Sequence, residues 1–222
     1  MNYVIIVLGI IIVFLLYYMY IWLLTPPIIK RTAKLNETNP PIAYLKDPTS
    51  LHYSYGVFLY VNSWDNTKEK AIISRDKNFT LYLDATTPTL YCKMYLDDDT
   101  TQLITITNNF PLQKWVYIVL SVDSQIIDVY LNGKLVLSQK LTKNPKMPGD
   151  ATVPLLLGGG DIWDASVADL IRIPRPMSPQ EVLNNYASSY NNVIGGMFSM
   201  SSYNANLKVL KNGEIFADTQ LF

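Results

Sequence analysis

The sequence predicts an all-β protein, a two-sheet β-sandwich with one short helix, preceded by a single transmembrane α-helix. Residues 3–24 form an uncharged run of apolar and aromatic residues, and about 20 such residues suffice to cross a ~30 Å hydrocarbon layer. From residue 55 onward, short runs rich in β-branched and aromatic residues alternate with turn signals, whereas helical periodicity is nearly absent. Many short strands separated by turns are typical of a sandwich.

The flanks of the N-terminal run favour a retained membrane span over a cleaved signal peptide. No Lys or Arg precedes the run, its apolar core is too long, and two prolines follow it in place of a small-residue cleavage site. We expect Tyr3, Tyr20 and Trp22 to lie at the membrane interfaces. Lys30 and Arg31 follow the span, so the positive-inside rule places the C-terminal part on the cytoplasmic side.

The rest of the chain divides by composition into three parts. Residues 26–50 contain five prolines among polar residues, which predicts a semi-rigid spacer rather than a packed element. Residues 51–190 form the predicted sandwich. Residues 191–222 form a C-terminal extension with a break at Gly195-Gly196 and a hairpin signal around Asn212-Gly213. This extension could add strands to a sheet edge or reach a neighbouring chain.

Turn signals and alternation locate the elements of the sandwich. The run 115–123 is nearly continuous in apolar residues and predicts a central strand covered on both faces. Asn132-Gly133 predicts a type I′ hairpin turn, and Ser178, Pro179 and Glu181 predict the capped start of the one helix. The predicted strands are 55–62, 71–74, 79–84, 89–96, 102–107, 115–123, 126–131, 134–139, 153–157 and 166–173.

The order of these features resembles a known family over residues 52–190. A Trp opens a strand that ends in Asp123, a second strand ends in Tyr-x-Asn-Gly at residues 130–133, and the segment 168–182 joins a strand to a short helix. This order resembles laminin-G-like domains, which have the concanavalin A-like jelly roll. The resemblance implies the fold, but the fold hosts lectins, glycosidases and adhesive modules alike. We expect Trp115 in the core, and Asp169 and Arg172 to pair or cap near the helix.

Charge and residue inventory exclude several classes of function. The formal net charge is zero, so the basic face that nucleic acid binding requires is not expected. Cys92 is the single cysteine and His52 the single histidine, which excludes an intramolecular disulfide and a multi-histidine metal site within one chain. The acidic residues show none of the paired spacing that glycoside hydrolysis needs. We therefore expect neither an enzyme nor a cofactor.

Two loop regions carry the residue types that bind ligands. An aromatic ring to stack on a sugar, beside carboxylates for its hydroxyls, occurs at Trp64 and Asp65 and again within residues 161–164, which contain Asp161, Trp163 and Asp164. A run of three acidic residues forms a weaker calcium candidate, although such runs are usually solvated turns. Its members are Asp97, Asp98 and Asp99.

Together these observations predict a membrane-anchored structural or interaction protein without catalysis. A single uncleaved anchor, a cytosol-facing sandwich and no catalytic set resemble minor capsid proteins of large icosahedral DNA viruses with an internal bilayer. That resemblance implies capsid or scaffold proteins as partners, a lipid bilayer around residues 3–24, and a location between the virion membrane and the shell. The alternative is a membrane-tethered carbohydrate-binding module.

Overall fold

A computed structural model describes residues 3–24, 28–150, 152–199, 206–211 and 214–220. By its contacts the chain divides into two units, Met1–Tyr186 and Ala187–Phe222. The first unit contains an N-terminal helix and a sandwich of eleven strands. The second contains the end of a helix and a two-stranded ribbon.

Helix α1 spans Tyr3–Leu24, with no acidic residue in its first turn and no basic residue in its last. Its large apolar side chains from Val7 to Met19 are about half exposed or more, and Tyr3 is 83% exposed. The side chains of Tyr20 and Trp22 lie outside the described part. Among the residues that the structure describes, we find no helix with the length and apolarity that a membrane crossing requires. The predicted anchor therefore stays a prediction.

Two antiparallel sheets form the sandwich, as the sequence predicts. In spatial order, the six-stranded sheet contains β1 (Ile28–Lys34), β11 (Ala165–Ile173), β2 (His52–Val61), β7 (Val116–Asp123), β8 (Ile126–Leu131) and β9 (Lys134–Lys140). The five-stranded sheet contains β10 (Leu155–Leu157), β3 (Lys70–Arg75), β4 (Phe79–Leu83), β5 (Leu90–Tyr95) and β6 (Thr101–Thr107).

Alternation along each strand creates the core between the sheets. In β2, for example, Tyr53, Tyr55 and Val57 face the other sheet and are at most 2% exposed. Strand β7 pairs with β2 on one side and β8 on the other. All of its residues are buried except Asp123, which confirms the prediction of a central strand covered on both faces.

The first two turns of helix α2 (Pro179–Ser199) pack on the outer face of the six-stranded sheet. The rings of Phe58 and Tyr117 stack at 4.6 Å on this face, and Tyr186 of the helix lies 6.3 Å and 6.2 Å from them. Val182 is fully buried in the same layer. Gly56 lets the layer close, because a Cβ there would lie 2.6 Å from the Tyr117 hydroxyl.

The prediction that residues 26–50 form an unpacked spacer is wrong. Residues Ile28–Lys34 form β1, which pairs antiparallel with β11 at the sheet edge. Leu35 is 0% exposed, and Ile42 makes a β-bridge to Leu155. Proline-rich composition concealed these contacts, since the apolar residues that anchor the segment are isolated between polar ones and show no periodicity.

The helix and the C-terminal extension also differ from expectation. The Ser178 hydroxyl accepts a hydrogen bond from the Glu181 amide, as a cap requires. The Glu181 carboxylate, however, accepts from both terminal nitrogens of Arg175 instead of closing a capping box. Helix α2 also continues through the predicted break at Gly195-Gly196. Strands β12 (Asn206–Lys211) and β13 (Glu214–Gln220) pair antiparallel, and the turn residues 212–213 lie outside the described residues.

The register of the strands defines two ends of the sandwich. At the near end, β1 begins with Ile28 beside Ile171, shortly after α1. At the far end, β1 finishes with Lys34 beside Ser166, and β2 finishes with Val61 beside Ala165. The loops that follow β2 and precede β11 therefore project from the far end.

Candidate functional site

A shallow cleft of about 220 Å³ lies at the far end of the sandwich. The loop after β2 and the segment before β11 form its walls, so the two predicted ligand-binding regions, 100 residues apart in sequence, meet there. The lining residues are Ser63, Asp65, Lys68, Lys70, Ile162, Trp163 and Asp164. Asp161 is exposed beside the cleft.

Two carboxylates of the cleft accept hydrogen bonds from the loop after β2, Asp164 across the cleft and Asp65 within that loop. Asp164 accepts from the Ser63 hydroxyl at 2.7 Å and from the Asn62 amide at 2.9 Å. These two bonds lower the pKa of the Asp164 carboxyl. Asp65 accepts from the hydroxyl and the backbone amide of Thr67 at 2.6 Å and 2.8 Å, and its pKa is lowered for the same reason.

A buried lysine forms the floor of the cleft. Lys70 is 0% exposed, and its ammonium group donates to the backbone carbonyls of Lys68 at 3.0 Å and Ala85 at 2.9 Å. The same ammonium lies 4.0 Å from the centre of the Trp64 ring, a cation–π contact. Burial lowers the pKa of Lys70. One face of the half-buried Trp64 ring is thus engaged by this cation.

Trp163 does not provide the sugar-stacking surface that the sequence predicts. It is 5% exposed, belongs to the core, and donates its indole N–H to the Ala71 carbonyl at 2.6 Å. The sequence places this residue in a loop, and loops are usually solvated. The tertiary structure instead turns the ring inward to seal the far end of the core.

An aromatic pair at the same end is not predicted by the sequence. Trp115 was expected in the core, but it immediately precedes β7, is half-buried, and lies 5.5 Å from the ring of Tyr60. Tyr60 is also half-buried and alternates with the inward-facing Leu59 and Val61. This alternation in the sequence could have identified Tyr60, because it places the residue on the outer face of β2.

At the near end, two arginines hold a loop rather than a ligand. Arg172 is 4% exposed and donates to the Tyr55 hydroxyl at 3.1 Å and to the backbone carbonyls of Lys46 and Asp47. Arg75 donates to the carbonyl of Pro48. The expectation that Arg172 pairs or caps near the helix is therefore wrong.

Two of the three calcium candidates, Asp98 and Asp99, are engaged by lysines of the chain itself. Asp98 accepts from the Thr100 hydroxyl at 2.6 Å and pairs with Lys143 at 3.0 Å, which together lower its pKa to about 2. Asp99 pairs with Lys146. Within the described residues, we find no cluster of three or more His, Cys, Asp or Glu side chains that could hold a metal.

The single cysteine is buried and shielded from solvent. Cys92 lies in β5 with 0% exposure, and burial raises the pKa of its thiol to about 12. A thiol with so high a pKa is not a nucleophile at neutral pH. The single histidine, His52, lies on the other sheet, where its Nδ1 is 2.7 Å from an oxygen of Asp123.

Comparison with known structures gives the same fold. The receptor binding domain of botulinum neurotoxin D matches 72% of this chain over 44% of its own length, with a TM-score of 0.57 and 11% identity. The botulinum neurotoxin serotype D ligand binding domain in complex with N-acetylneuraminic acid matches 71% of this chain over 42% of its own length, with a TM-score of 0.51 and 14% identity. The binding domain of botulinum neurotoxin DC in complex with rat synaptotagmin II matches 71% of this chain over 46% of its own length, with a TM-score of 0.53 and 13% identity.

These structures are more than twice as long as the portion that this chain matches, and their low identity establishes the fold alone. A comparison with curated proteins found no match. The family model described as the concanavalin A-like lectin/glucanases superfamily matches residues 39–183, about two thirds of the chain. The chain therefore belongs to the concanavalin A-like lectin/glucanase superfamily.

Proposed function

We propose that this protein is a non-catalytic interaction module, held at a membrane by helix α1, which recognises a partner with the far end of its sandwich. The observation that carries the proposal is the position of the cleft. The chain enters the sandwich from α1 at the near end, whereas the cleft opens at the far end. A tether at one end leaves the other end free to meet a partner.

The chemistry of the cleft supports binding rather than catalysis. A glycosidase needs one carboxylic acid that keeps its proton at the working pH, which requires a raised pKa. Both Asp65 and Asp164 have lowered pKa values, because hydrogen bonds stabilise their ionised forms. A lowered pKa does not favour the general-acid role, whereas ionised carboxylates are suited to accepting hydrogen bonds from a ligand.

The membrane tether is supported by the composition of α1 and by its exposure. Its 22 residues carry no charge, and the described apolar side chains of the helix are exposed. In a bilayer, such a surface lies against lipid tails that are as apolar as the side chains themselves. The positive-inside rule places the sandwich on the cytoplasmic side, since Lys30 and Arg31 follow the helix.

Alkaline carbonate extraction of membranes from expressing cells tests the tether. We expect the full chain to remain in the pelleted membranes, and a Val13→Arg/Leu16→Arg double variant to be released, because each arginine at mid-span opposes insertion by about 3 kcal/mol. Release of the unaltered chain would contradict the proposal. So would a mature protein that begins after Leu24.

A protein partner is the first candidate for the far end. Ile162 is 48% exposed beside the charged rim of the cleft, and interfaces combine an apolar centre with a polar rim. The resemblance to membrane-linked minor capsid proteins suggests a capsid or scaffold protein as that partner. This finer identification rests on the sequence alone.

Crosslinking through lysines in the native membrane, followed by mass spectrometry, tests the position of the partner. We expect crosslinks from Lys68, at the cleft, to one recurring protein, and their loss in Asp161→Arg. Lys77, in the near-end turn between β3 and β4, serves as the matched control and should give none to that protein. Equal crosslinks from both lysines would contradict a far-end site.

The second candidate is a carbohydrate, and the Tyr60–Trp115 pair favours it. Aromatic rings that keep part of one face exposed can stack on a sugar, and this half-buried pair lies at the same end as the cleft. Binding to an array of sialylated and neutral glycans, lost in Trp115→Ala and retained in Tyr44→Ala, would support a lectin. Tyr44 is a suitable control because it is 95% exposed at the near end.

A further inference from the structure

Tyr44 combines an unusual exposure with an unusual backbone conformation. Its side chain is 95% exposed, more than any other large hydrophobic side chain in the described part of the chain. Its φ angle is 59°, in the left-handed region that a bulky residue rarely adopts. Glycine or asparagine would form the same turn more easily. A strained backbone that presents an aromatic ring to the surroundings points to a function for the ring.

The loop that carries this tyrosine is fixed by contacts on both sides of it. Before the ring, Ile42 makes a β-bridge to β10. After the ring, Leu45 is 7% exposed and belongs to the core. Beyond Leu45, the buried Arg172 donates to the carbonyls of the next two residues, and the buried Arg75 donates to the carbonyl of the third. The fold therefore holds the ring away from the sandwich.

The same loop lies beside the point where the chain enters the sandwich from α1. Ile28, the first residue of β1, lies opposite Ile171, and the residue after Ile171 is the arginine that holds the loop. The four Cα–Cα steps from Leu24, where α1 ends, to Ile28 span at most about 14 Å. The headgroup layer is about 5–8 Å thick on each side of a bilayer. If α1 spans a bilayer, the near end of the sandwich therefore stays close to the headgroups.

We propose that the near end of the sandwich docks on the membrane that holds α1, with the Tyr44 ring inserted among the lipid headgroups. Tyrosine suits this position, because its ring is apolar and its hydroxyl is polar, and membrane interfaces are enriched in it. The inference rests on the proposed tether and adds a second contact to it. Two contacts hold the sandwich upright, so that the far-end cleft points away from the bilayer.

The ring, rather than charge, accounts for this docking. Cations at the near end are engaged by carboxylates of the chain itself, in the ion pairs Lys143–Asp98, Lys146–Asp99 and Arg175–Glu181. Cations engaged in this way offer little attraction to anionic headgroups. We therefore expect docking on vesicles of phosphatidylcholine alone, and at high salt, where surface charges are screened. A near end that contacts another protein instead would not dock on such vesicles.

Fluorescent labels on single cysteines test the docking in the full chain, reconstituted into phosphatidylcholine vesicles whose headgroups carry a nitroxide quencher. The label is placed at Lys77→Cys, in the exposed near-end turn between β3 and β4, so that Tyr44 is kept. Ile162→Cys, at the cleft, is the matched control, because the ten residues of β2 span about 30 Å between the two ends. Cys92 is 0% exposed and stays unlabelled. We expect quenching at position 77 and none at position 162.

Tyr44→Asn separates docking from stability. Asparagine tolerates the left-handed backbone better than tyrosine does, so we expect the unfolding temperature to stay equal or to rise. Quenching at position 77 should fall at least about twofold, because the near end loses its interfacial ring. A merely structural Tyr44 would leave the quenching unchanged.

Flotation of the vesicles separates this proposal from the tether itself. If the chain floats with the vesicles but position 77 is not quenched, the docking is wrong and the tether stands. Equal quenching at positions 77 and 162, or quenching at position 77 that is indifferent to Tyr44→Asn, also overturns the docking. A chain that does not float with the vesicles overturns both proposals.

Discussion

At the scale of single residues, buried cations organise both ends of the sandwich. Lys70 closes the far end beneath Trp64, and Arg172 holds the near-end loop through the carbonyls of Lys46 and Asp47. In the described contacts these cations bind carbonyl oxygens, a hydroxyl and an aromatic ring rather than carboxylates. Each therefore positions backbone, and removing one leaves buried carbonyls without donors.

Arg172→Lys tests this role for the near end. Lysine keeps the charge but cannot donate simultaneously to Tyr55 and to two successive carbonyls, because it is a point donor rather than a planar fork. We expect a loss of about 1.5–3 kcal/mol in the free energy of unfolding by urea, together with faster tryptic cleavage after Lys46. The exposed Arg31→Lys is the control. Equal stability of Arg172→Lys and Arg31→Lys would contradict the role of Arg172 in holding the near-end loop.

The carboxylate of Asp84 predicts a pH dependence. It accepts from the hydroxyls of Thr87 at 3.0 Å and Thr86 at 3.1 Å, and these bonds lower its pKa to about 2. Between pH 4 and 2 the unfolded state therefore binds the proton more readily, so this contribution to stability is present above pH 4 and disappears as the pH falls toward 2.

Thermal unfolding in steps from pH 5 to pH 2 measures this effect. We expect Asp84→Asn to lower the unfolding temperature at pH 5 and to flatten its decline toward pH 2. Asp76→Asn, in the exposed turn between β3 and β4, should retain the steep decline. A decline of the same slope in both variants would rule out Asp84 as a source.

At the scale of elements, the hairpin between β8 and β9 links local turn chemistry to the packing of α2. Asn132 and Gly133 have φ values of 50° and 81°, which confirms the predicted turn. The Asn132 side chain accepts from the Tyr117 amide at 2.9 Å. A Cβ on Gly133 would lie 2.9 Å from Leu183 of the helix, so the turn also fixes how closely the helix approaches.

Gly133→Ala should therefore cost more than turn strain alone. The left-handed backbone opposes a side chain by about 1–3 kcal/mol, and contact with Leu183 adds to this cost. We expect a clear drop in the unfolding temperature, partly recovered by a second change, Leu183→Ala. Gly149→Ala, which meets no atom within 4 Å, is the control. An unchanged unfolding temperature in Gly133→Ala would contradict the close contact with Leu183.

At the scale of the whole molecule, the sandwich begins at Ile28 rather than after a spacer. The edge strand β1, the buried Leu35 and the bridge at Ile42 make the segment after α1 part of the folded domain. This matters for the proposed function, because only residues 25–27 separate α1 from a packed strand. The cleft lies at the opposite end of the folded sandwich from the start of β1.

Leu35→Ala distinguishes these two arrangements. A fully buried leucine costs about 2–5 kcal/mol when truncated, whereas a leucine in a spacer costs nothing measurable. Urea unfolding should show the larger loss in the free energy of unfolding for Leu35→Ala. The loss should be small for Leu112→Ala, whose side chain is 37% exposed. An unchanged free energy of unfolding in Leu35→Ala would support an unpacked spacer instead.

The sequence determined the features that depend on local pattern. Alternation identified the strands, and Asn132-Gly133 identified a turn. Local pattern carries this information because backbone conformation and side-chain direction repeat every two residues in a strand.

Only the tertiary structure decided which side chains are covered and which loops meet. It turned Trp163 inward, left Trp115 only half-buried, recruited residues 28–35 to the sheet edge, and brought Asp65 and Asp164 to one cleft. The physical reason is that burial depends on contacts between segments distant in the chain, and no local period records which strand lies at an edge or which loop closes the core.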